Sequence, residues 1–504
     1  MNSEELRRLK EIDLRVQEIA KEEGLLVREV LFEIVPAQRV LEGQAYWFPT
    51  NFSHWSFGRD YEKQRTLYEH TGQGIPYEQV WDFDPPRAFL VETNPFVLNV
   101  MVLAHVYGHV DFFSGSKYRQ RFRSVMDVAE EARQAAKRFA EYEERFGKEE
   151  VENLIDSAMS IMWHQHPDPF HEEEEEEVAR ERIFALERAK LERDKSVQSE
   201  FAQPISKEEI TKREKRLAML AVATPPEPVY DLLYYIANHS GRIRRPWQKD
   251  VLLTIRNQVR ALAPNRRIKM LNEGWATYWH VRIMRRLFAE GLLSAKEHEI
   301  YNIYHSGVAA QAHNNFNVYR TGLALYEYVE ERWNKGQFGP EYEQSEDPYK
   351  RLHWDTGAMK GREKIFEMRT SWSDRMAVEA LFTDDFIHEQ GLYSYTQDED
   401  PKTGKLVWVV EDDDPKKIRD MLKDTFATYQ IPIIFVQNGN ARSQHELLLG
   451  HTPTGFKLDP EYRNKTLEKL YHLWGKTVSV RTVEKGKYVI FSYDGKEHKP
   501  SNSK

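Results

Sequence analysis

The chain has 504 residues, 40% of them apolar and 12% aromatic, which is enough apolar material for two or three ordinary domains and argues against global disorder. Its 72 basic and 81 acidic side chains nearly cancel to a formal net charge of −9, which argues against a dedicated nucleic-acid-binding protein and against strong attraction to anionic lipids. The absence of cysteine excludes disulfides, thiolate zinc sites, iron–sulfur clusters and a cysteine nucleophile.

The amino-terminal segment is charged and predicts a helix. Residues 4–23 carry an approximate apolar stripe typical of an amphipathic helix: Leu6, Leu9, Ile12, Leu14, Val16 and Ile19. This start lacks the apolar core of a signal peptide, and the longest apolar stretches, such as Val100–Ala104, are far shorter than the roughly 20 residues of a membrane helix. We therefore expect a soluble, cytoplasmic protein that does not insert into a membrane.

The next strong helix signal starts near residue 94. Asn94 can cap a helix and Pro95 can occupy its first position, ahead of the apolar run FVLNVMVLAHVYGHVDFF. The segment from about 115 to 220 is charged and predicted to be helical. Its acidic run, Glu172–Glu177, is typical of a solvated helix face or a mobile loop, because a simple run does not supply the converging oxygen ligands of a metal site.

The second half of the chain predicts buried helices and then a change of character. After a break around Pro225–Pro228, four segments are typical of successive buried helices: YDLLYYIANHS, WQKDVLLTIRNQVRAL, IKMLNEGWATYWHVRIMRRLF and YNIYHSGVAAQ. Beyond about residue 384, LVWVVED and IPIIFVQNG predict strands, DPKKIRDMLKDTFATY predicts a helix between them, and Gly486 marks a hairpin turn. We therefore predict a mainly α fold, with a large helical domain over 1–383 and a small α/β module over 384–504.

Two histidines in the apolar run after residue 94 have the spacing of metal ligands. His105 and His109 are four residues apart, which places both imidazoles on one helix face, within reach of one metal ion. The zinc peptidase motif HExxH uses the same geometry. An HxxxH pair also arises by chance, so a structural or hydrogen-bonding role is the alternative.

A carboxylate in a second apolar helix supplies a third candidate ligand. Glu273 lies within NEGWATYW, where burial of a carboxylate is costly unless it has a partner. Two histidines from one helix and a glutamate from another form a familiar three-ligand zinc site, and NEGWATYW resembles the NExxA-like helix of zinc peptidases with a glutamate ligand. The alternative is an ion pair with an arginine such as Arg267. The sequence thus predicts that His105, His109 and Glu273 bind zinc or another divalent transition metal.

The candidate centre departs from the peptidase pattern. Val106 stands where HExxH has its glutamate, the general base that polarises the zinc-bound water. His280 lies seven residues after Glu273, on the same helix face, where a fourth ligand, a proton carrier or a buried hydrogen-bonded residue would fit. His239 and His305 are each followed by serine in apolar surroundings, which is typical of a pocket edge or of a core or capping role. No phosphate loop, dinucleotide fingerprint or GxSxG motif is present.

Several of these segments, in this order and spacing, resemble the SpoVR family (stage V sporulation protein R) of bacteria. The resemblance covers roughly residues 20–495 and is strongest in HWSFGRDYEKQ, AHVYGHVDFF, YDLLYYIANHS, WQKDVLLTIRNQ, IKMLNEGWATYWH, YHSGVAA, LLLGHTPTGFKLD and LEKLYHLWGKTV. It implies a cytoplasmic factor for spore cortex (peptidoglycan) formation, or for stress and envelope physiology in relatives that do not sporulate. It also implies association with a PrkA-type serine kinase and a von Willebrand-like companion protein, and it supplies no settled reaction.

Three functions fit the residues. The first is a regulatory or assembly factor for cortex synthesis, with a zincin-like metal core whose catalytic residues are altered. The second is a metal-dependent peptidase or amidase, in which His280 or His239 handles protons and a base other than residue 106 is used. The third is a metal-free interaction or scaffold protein, in which the histidines and Glu273 form a buried polar network. The missing glutamate at 106 favours the first function over the second.

Overall fold

The computed structural model describes residues 1–47, 49–71, 78–122, 128–166, 168, 170–172, 174–196, 206–311, 316–429, 431–453 and 457–502. The protein is mainly helical, as predicted. The described helices are α1 (Ser3–Glu22), α2 (Ala37–Ala45), α3 (Trp55–Thr71), α4 (Phe96–Gly115), α5 (Lys117–Phe122), α6 (Val128–Phe146), α7 (Lys148–Met159), α8 (Glu176–Ser196), α9 (Lys207–Val222), α10 (Leu232–His239), α11 (Pro246–Arg267), α12 (Lys269–Ala289), α13 (Ala295–Val308), α14 (Val318–Lys335), α15 (Pro340–Glu343), α16 (Pro348–Leu352), α17 (Gly361–Ser371), α18 (Asp374–Leu381), α19 (Asp384–Gln390), α20 (Pro415–Thr428) and α21 (Pro460–Trp474).

The strands form three separate sheets. They are β1 (Leu31–Val35), β2 (Glu78–Trp81), β3 (Arg87–Val91), β4 (Ser394–Glu399), β5 (Leu406–Asp412), β6 (Ile433–Ala441), β7 (Glu446–Thr452), β8 (Val478–Glu484), β9 (Lys487–Tyr493) and β10 (His498–Asn502). Their orders are β1-β3-β2, β4-β5 and β10-β9-β8-β7-β6. The predicted hairpin at Gly486 is confirmed between β8 and β9. The two strands predicted on either side of α20 form as expected, but β5 and β6 belong to different sheets.

The chain divides into two compact units. The first comprises Met1–Lys137 and Ala261–Tyr429, and the second comprises Arg138–Arg260 and Gln430–Lys504. The first unit therefore contains α4, α12 and α14, together with β4 and β5, and the second contains the five-stranded sheet and α21. The division of the chain at residues 383 and 384 into separately folding domains stays a prediction.

Helix α4 is the central element of the first unit. All of its residues from Val97 to Phe112 are buried, because an apolar helix without a polar face loses water contact on every side when neighbours surround it. It is long and apolar enough to cross a membrane, but 89% of its most apolar window is buried inside the protein, as in the core helix of a soluble protein. It begins at Phe96 with Pro95 as N-cap, so the predicted cap at Asn94 is wrong; the Asn94 amide instead donates to Asn99 at 3.1 Å.

Glycines bring the helices of the first unit unusually close together. A Cβ on Gly108 of α4 would lie 2.7 Å from the Cα of Ala276 in α12. A Cβ on Gly274 of α12 would lie 2.5 Å from the Cα of Gly322 in α14. Because glycine has no side chain, these backbones approach to distances that no other residue permits. The close contacts fix α12 between its two neighbours and set the separation of the candidate ligands on α4 and α12.

Helix α1 packs on α4 through a narrower stripe than the sequence suggested. Its buried apolar residues are Leu9, Ile12, Val16, Ile19 and Ala20. Leu6 and Leu14, which the sequence placed in the stripe, are 37% and 63% exposed and do not belong to it. An Asn2–Glu5 capping box starts this helix, with each side chain bonded to the other residue's backbone N–H at 2.9 Å. The Tyr107 hydroxyl of α4 donates to Asp13 at 2.8 Å, which adds a polar contact between α1 and α4.

Candidate metal centre

The two predicted histidine ligands lie side by side on α4. The residues His105 and His109 are only 4% and 3% exposed, and their ring centroids are 4.6 Å apart. The helical spacing that the sequence predicted therefore places both rings on one face. Burial makes this arrangement costly unless each ring nitrogen has a partner.

Glu273 of α12 completes a three-donor cluster. Its Oε2 lies 3.4 Å from Nε2 of His109 and 3.7 Å from Nε2 of His105, and the three donor atoms all lie within 4.8 Å of one another. Zinc bonds of 2.0–2.1 Å in a tetrahedron place neighbouring ligand atoms about 3.3–3.4 Å apart. The contacts are longer than regular hydrogen bonds and close to this tetrahedral edge. The carboxylate faces the two histidines, as predicted, rather than Arg267.

The other ring nitrogen of each histidine is held by a neighbour on α12. Nδ1 of His109 lies 3.0 Å from Oδ1 of Asn272, and Nδ1 of His105 lies 3.0 Å from Nδ1 of His280. An amide oxygen only accepts, so the network assigns a proton of His109 to Nδ1 and directs Nε2 toward Glu273. Histidines that bind metals characteristically donate their second ring N–H in this way. The donor set and its supporting contacts therefore fit a metal ion.

The charge of the cluster is set by Glu273. Burial on its own would raise the pKa of this carboxyl, but the charge and hydrogen bonding of His109 and His105 outweigh burial and bring the pKa well below its usual range. The carboxylate is therefore ionised at neutral pH. A negative oxygen beside two imidazole nitrogens is the electrostatic arrangement that attracts a divalent cation.

His280 lies behind His105 and leads to a third histidine. Nε2 of His280 lies 3.1 Å from Nδ1 of His305 on α13. Burial lowers the pKa of His280 well below its ordinary value, and burial also lowers the pKa of His305, so both rings are neutral at neutral pH. His280 thus contacts one member of the cluster, His105, and is not one of the three converging donors. Its predicted catalytic role stays a prediction.

His239 belongs to the other unit of the chain. It ends α10, where its ring stacks on Tyr235 with centroids 4.3 Å apart and its Nε2 lies 3.5 Å from a carboxylate oxygen of Glu176. Burial lowers the pKa of His239, against the opposing effect of Glu176. The structure does not bring His239 into the contacts described for the three-donor cluster. Its catalytic role also stays a prediction.

Two buried aspartates position the helices that carry the ligands, and sequence reasoning missed both functions. Asp111 accepts from the Trp275 indole at 2.8 Å and lies 3.3 Å from Nε of Arg369. Since Asp111 and Trp275 each lie two residues after a candidate ligand, this bond fixes α4 against α12. Asp374 accepts from the N–H groups of Met270 and Leu271 and so caps the start of α12. An aspartate within an apolar run was a signal for Asp111, whereas Asp374, 104 positions after Met270 at the start of α12, gave none.

Position 106 has no acid–base group. Val106 is fully buried in the apolar core of the first unit, where its side chain packs and can neither accept nor donate a proton. Among the described residues, the three-donor cluster is the group of histidines and carboxylates whose ligand atoms converge closely enough for a metal. The base that the peptidase motif places next to its first histidine is therefore replaced here by an apolar packing residue.

Comparisons with known proteins agree with the family that the sequence resembles. The model of the family described as SpoVR like protein matches residues 3–431, and the SpoVR-like C-terminal domain matches residues 432–485. The uncharacterized protein YcgB of Escherichia coli (strain K12) is 28% identical over 279 residues, which are 52% of this chain and 51% of that protein, so the chain spans about half the length of this curated relative. No solved structure matches. The chain belongs to the SpoVR family, and that membership suggests a role connected with sporulation.

Proposed function

We propose that the protein is a cytoplasmic SpoVR family factor that binds one divalent transition metal through His105, His109 and Glu273 and supports spore cortex formation. The observation that carries this proposal is the convergence of three donor atoms, two on α4 and one on α12, all within 4.8 Å of one another. The two separations to Oε2 of Glu273, 3.4 and 3.7 Å, are close to the edge of a tetrahedral metal site. Zinc fits best, because two imidazoles and one carboxylate form a common zinc ligand set.

A regulatory or assembly role fits this centre better than peptide hydrolysis. A zinc ion held there by His105, His109 and Glu273 would supply Lewis-acid chemistry toward a carbonyl group or a water molecule. Among the described residues, Val106 is apolar and His280 is turned toward His105, so neither is placed to act as the base that the peptidase motif provides. The core is zincin-like in its ligands and altered in its catalytic residues.

A metal-dependent peptidase or amidase is the second candidate. Its support is that the Glu273 side chain remains 16% exposed while both imidazoles are almost fully buried, although the oxygen that faces the imidazoles, Oε2, is itself buried. On this candidate, a substrate or an external base would approach along the exposed part of the Glu273 side chain. Hydrolysis of peptide or amide substrates by wild-type protein, abolished in Glu273→Gln, would favour this candidate over the first.

Metal content tests the proposal directly. Purified, untagged wild-type protein should contain about one zinc (or other transition metal) per chain by elemental mass spectrometry, and Glu273→Gln should contain none. Glu330→Gln is the matched control, because Glu330 has the same 16% side-chain exposure but pairs with Arg282 and Tyr278 instead of the histidines. Metal-free wild-type protein, even after reconstitution, would refute the metal centre and support the metal-free scaffold.

The biological role has its own test. In a sporulating bacterium that lacks its own family member, the wild-type chain and Glu330→Gln should restore cortex peptidoglycan and heat-resistant spores, and Glu273→Gln should not. Restoration by all three would separate the sporulation role from the metal. Association with a PrkA-type serine kinase and a von Willebrand-like protein stays a proposal, and co-purification with wild-type protein from such cells would test it.

A further inference from the structure

Strand β5 exposes an uninterrupted apolar segment. Five consecutive residues are exposed to solvent, by 69%, 38%, 40%, 36% and 49% in chain order: Leu406, Val407, Trp408, Val409 and Val410. Both faces of the strand are therefore apolar and open, although soluble proteins avoid long exposed apolar strands because these attract other strands. A run of this length is expected only where another surface covers it.

The strand also has a free hydrogen-bonding edge among the described residues. It pairs with β4 in an antiparallel sheet of two strands, from Ser394 opposite Asp412 to Glu399 opposite Leu406. The opposite edge of β5 presents backbone N–H and C=O groups to solvent. Two strands alone are only marginally stable in water, so a third strand at this edge would stabilise the sheet.

The sequence around Trp408 is self-complementary when it is read against itself in the antiparallel direction. With Trp408 placed opposite Trp408 of a second copy, Val407 faces Val409, Leu406 faces Val410, and Lys405 faces Glu411. Opposite charges directly across an antiparallel pair stabilise it, and like charges destabilise it. A parallel, in-register arrangement would instead place Lys405 against Lys405 and Glu411 against Glu411.

We propose that β5 pairs with β5 of a second copy of this chain about a two-fold axis through Trp408, to form a four-stranded sheet across a homodimer. Such a contact is self-complementary, as a two-fold interface must be. Each dimer gains two Lys405–Glu411 pairs. Ser394 donates to Oε2 of Glu411 at 2.9 Å, which holds this carboxylate in place and leaves its second oxygen for the lysine of the other copy. The interface does not depend on the metal centre.

An anionic lipid surface fits this strand poorly. Carboxylates flank the apolar residues at both ends of the β4–β5 sheet: Asp398, Glu399, Asp400, Glu411, Asp412, Asp413 and Asp414. This rim repels anionic headgroups and favours a partner that brings a lysine to it. A second copy supplies that lysine at the matching position.

Cysteine cross-linking tests both the partner and the register, since the chain has no cysteine of its own. Facing residues of an antiparallel pair have Cα atoms about 4.5–5.5 Å apart, within the range that a disulfide spans, so full-length Trp408→Cys should cross-link to itself under mild oxidation. Leu406→Cys is the matched control, because its two copies would lie four residues apart along the strand, about 13 Å. Equal cross-linking of both variants, or none in either, would overturn the proposal.

A charge exchange keeps the test independent of Trp408. Wild-type protein should have twice the chain mass of 59.7 kDa by light scattering. Lys405→Glu should weaken the dimer at least about tenfold, because two attractive pairs become repulsive, and adding Glu411→Lys should restore it. A monomeric wild type at 100 µM, or a double variant as weak as Lys405→Glu, would contradict the pairing and indicate a different partner for the strand.

Discussion

The close contact between α4 and α12 provides the sharpest test of the candidate centre. In Gly108→Ala, the new Cβ would lie 2.7 Å from the Cα of Ala276, whereas carbon atoms in contact are about 3.5–4.0 Å apart. The neighbouring atom is backbone and cannot rotate away. The two helices must therefore separate by about 1 Å at this point to reach normal contact.

The separation acts directly on the ligand geometry. His109 lies one residue after Gly108 on α4, and Glu273 lies on the helix that would be displaced, so the Nε2–Oε2 distance of 3.4 Å would grow to about 4.4 Å. Metal–ligand distances tolerate only about 0.2 Å. We expect the metal affinity to fall by at least about 10- to 100-fold, which is the usual effect of removing a residue that orients a metal ligand. Overpacking should also lower the free energy of unfolding by about 1–3 kcal/mol.

Zinc competition with a chelator measures the affinity, and urea unfolding of the metal-free protein measures the stability. Gly307→Ala is the matched control, because Gly307 lies in α13 with no atom within 4 Å of the added Cβ. The same chemical change should there leave metal affinity unchanged and stabilise the protein by about 0.4–1 kcal/mol. Wild-type metal affinity and an unchanged urea midpoint in Gly108→Ala would refute the proposed coupling between helix separation and ligand geometry.

Two further substitutions test the supporting contacts and the second unit. Asn272→Ala removes the amide oxygen that lies 3.0 Å from Nδ1 of His109 and orients its ring. We expect the metal affinity of this variant to be about 10- to 100-fold weaker, with unchanged helix content by circular dichroism. An unchanged metal affinity would show that the amide does not orient the ring. His164, whose Nδ1 lies 3.2 Å from the carbonyl oxygen of Pro432, has a pKa lowered to about 4 by burial. Because the unfolded chain binds the proton more readily, the stability that neutral His164 contributes is fully present above pH 6.5 and is lost as the pH falls toward 4. His164→Asn should reduce this acid-induced loss by about 2 kcal/mol, after allowance for partial exposure, in urea titrations at several pH values; an identical pH profile would contradict it.

The proximity of the three candidate ligands could be predicted because it rests on local patterns. The i, i+4 spacing on an apolar helix fixes the relative position of His105 and His109 whatever surrounds them. The carboxylate of Glu273 in an apolar helix demanded a partner, and the two histidines were the available donors. Helical and strand segments with strong periodicity, such as α12, α20 and the β8–β9 hairpin, were predictable for the same reason.

The remaining features depend on tertiary contacts that a pattern does not contain. The sequence placed His280 on the correct face of α12 but could not show that it contacts His105. That contact depends on how α4 packs on α12. The cap that Asp374 provides for α12 comes from a helix far along the chain. Strands β5 and β6 looked like neighbours in sequence, yet their sheet membership is decided by pairing with β4 and β7.

The distance along the chain between the ligands has a consequence for how the protein is made. His109 and Asn272, the residue beside Glu273, are 163 positions apart, so the centre closes a long loop. On the proposed metal centre, a nascent or truncated chain that ends before α12 has the two imidazoles without Glu273, and we expect it to hold a metal only weakly. Tight metal binding would then require that α4 and α12 have already docked, so the ion would stabilise the folded first unit late in folding rather than start its folding.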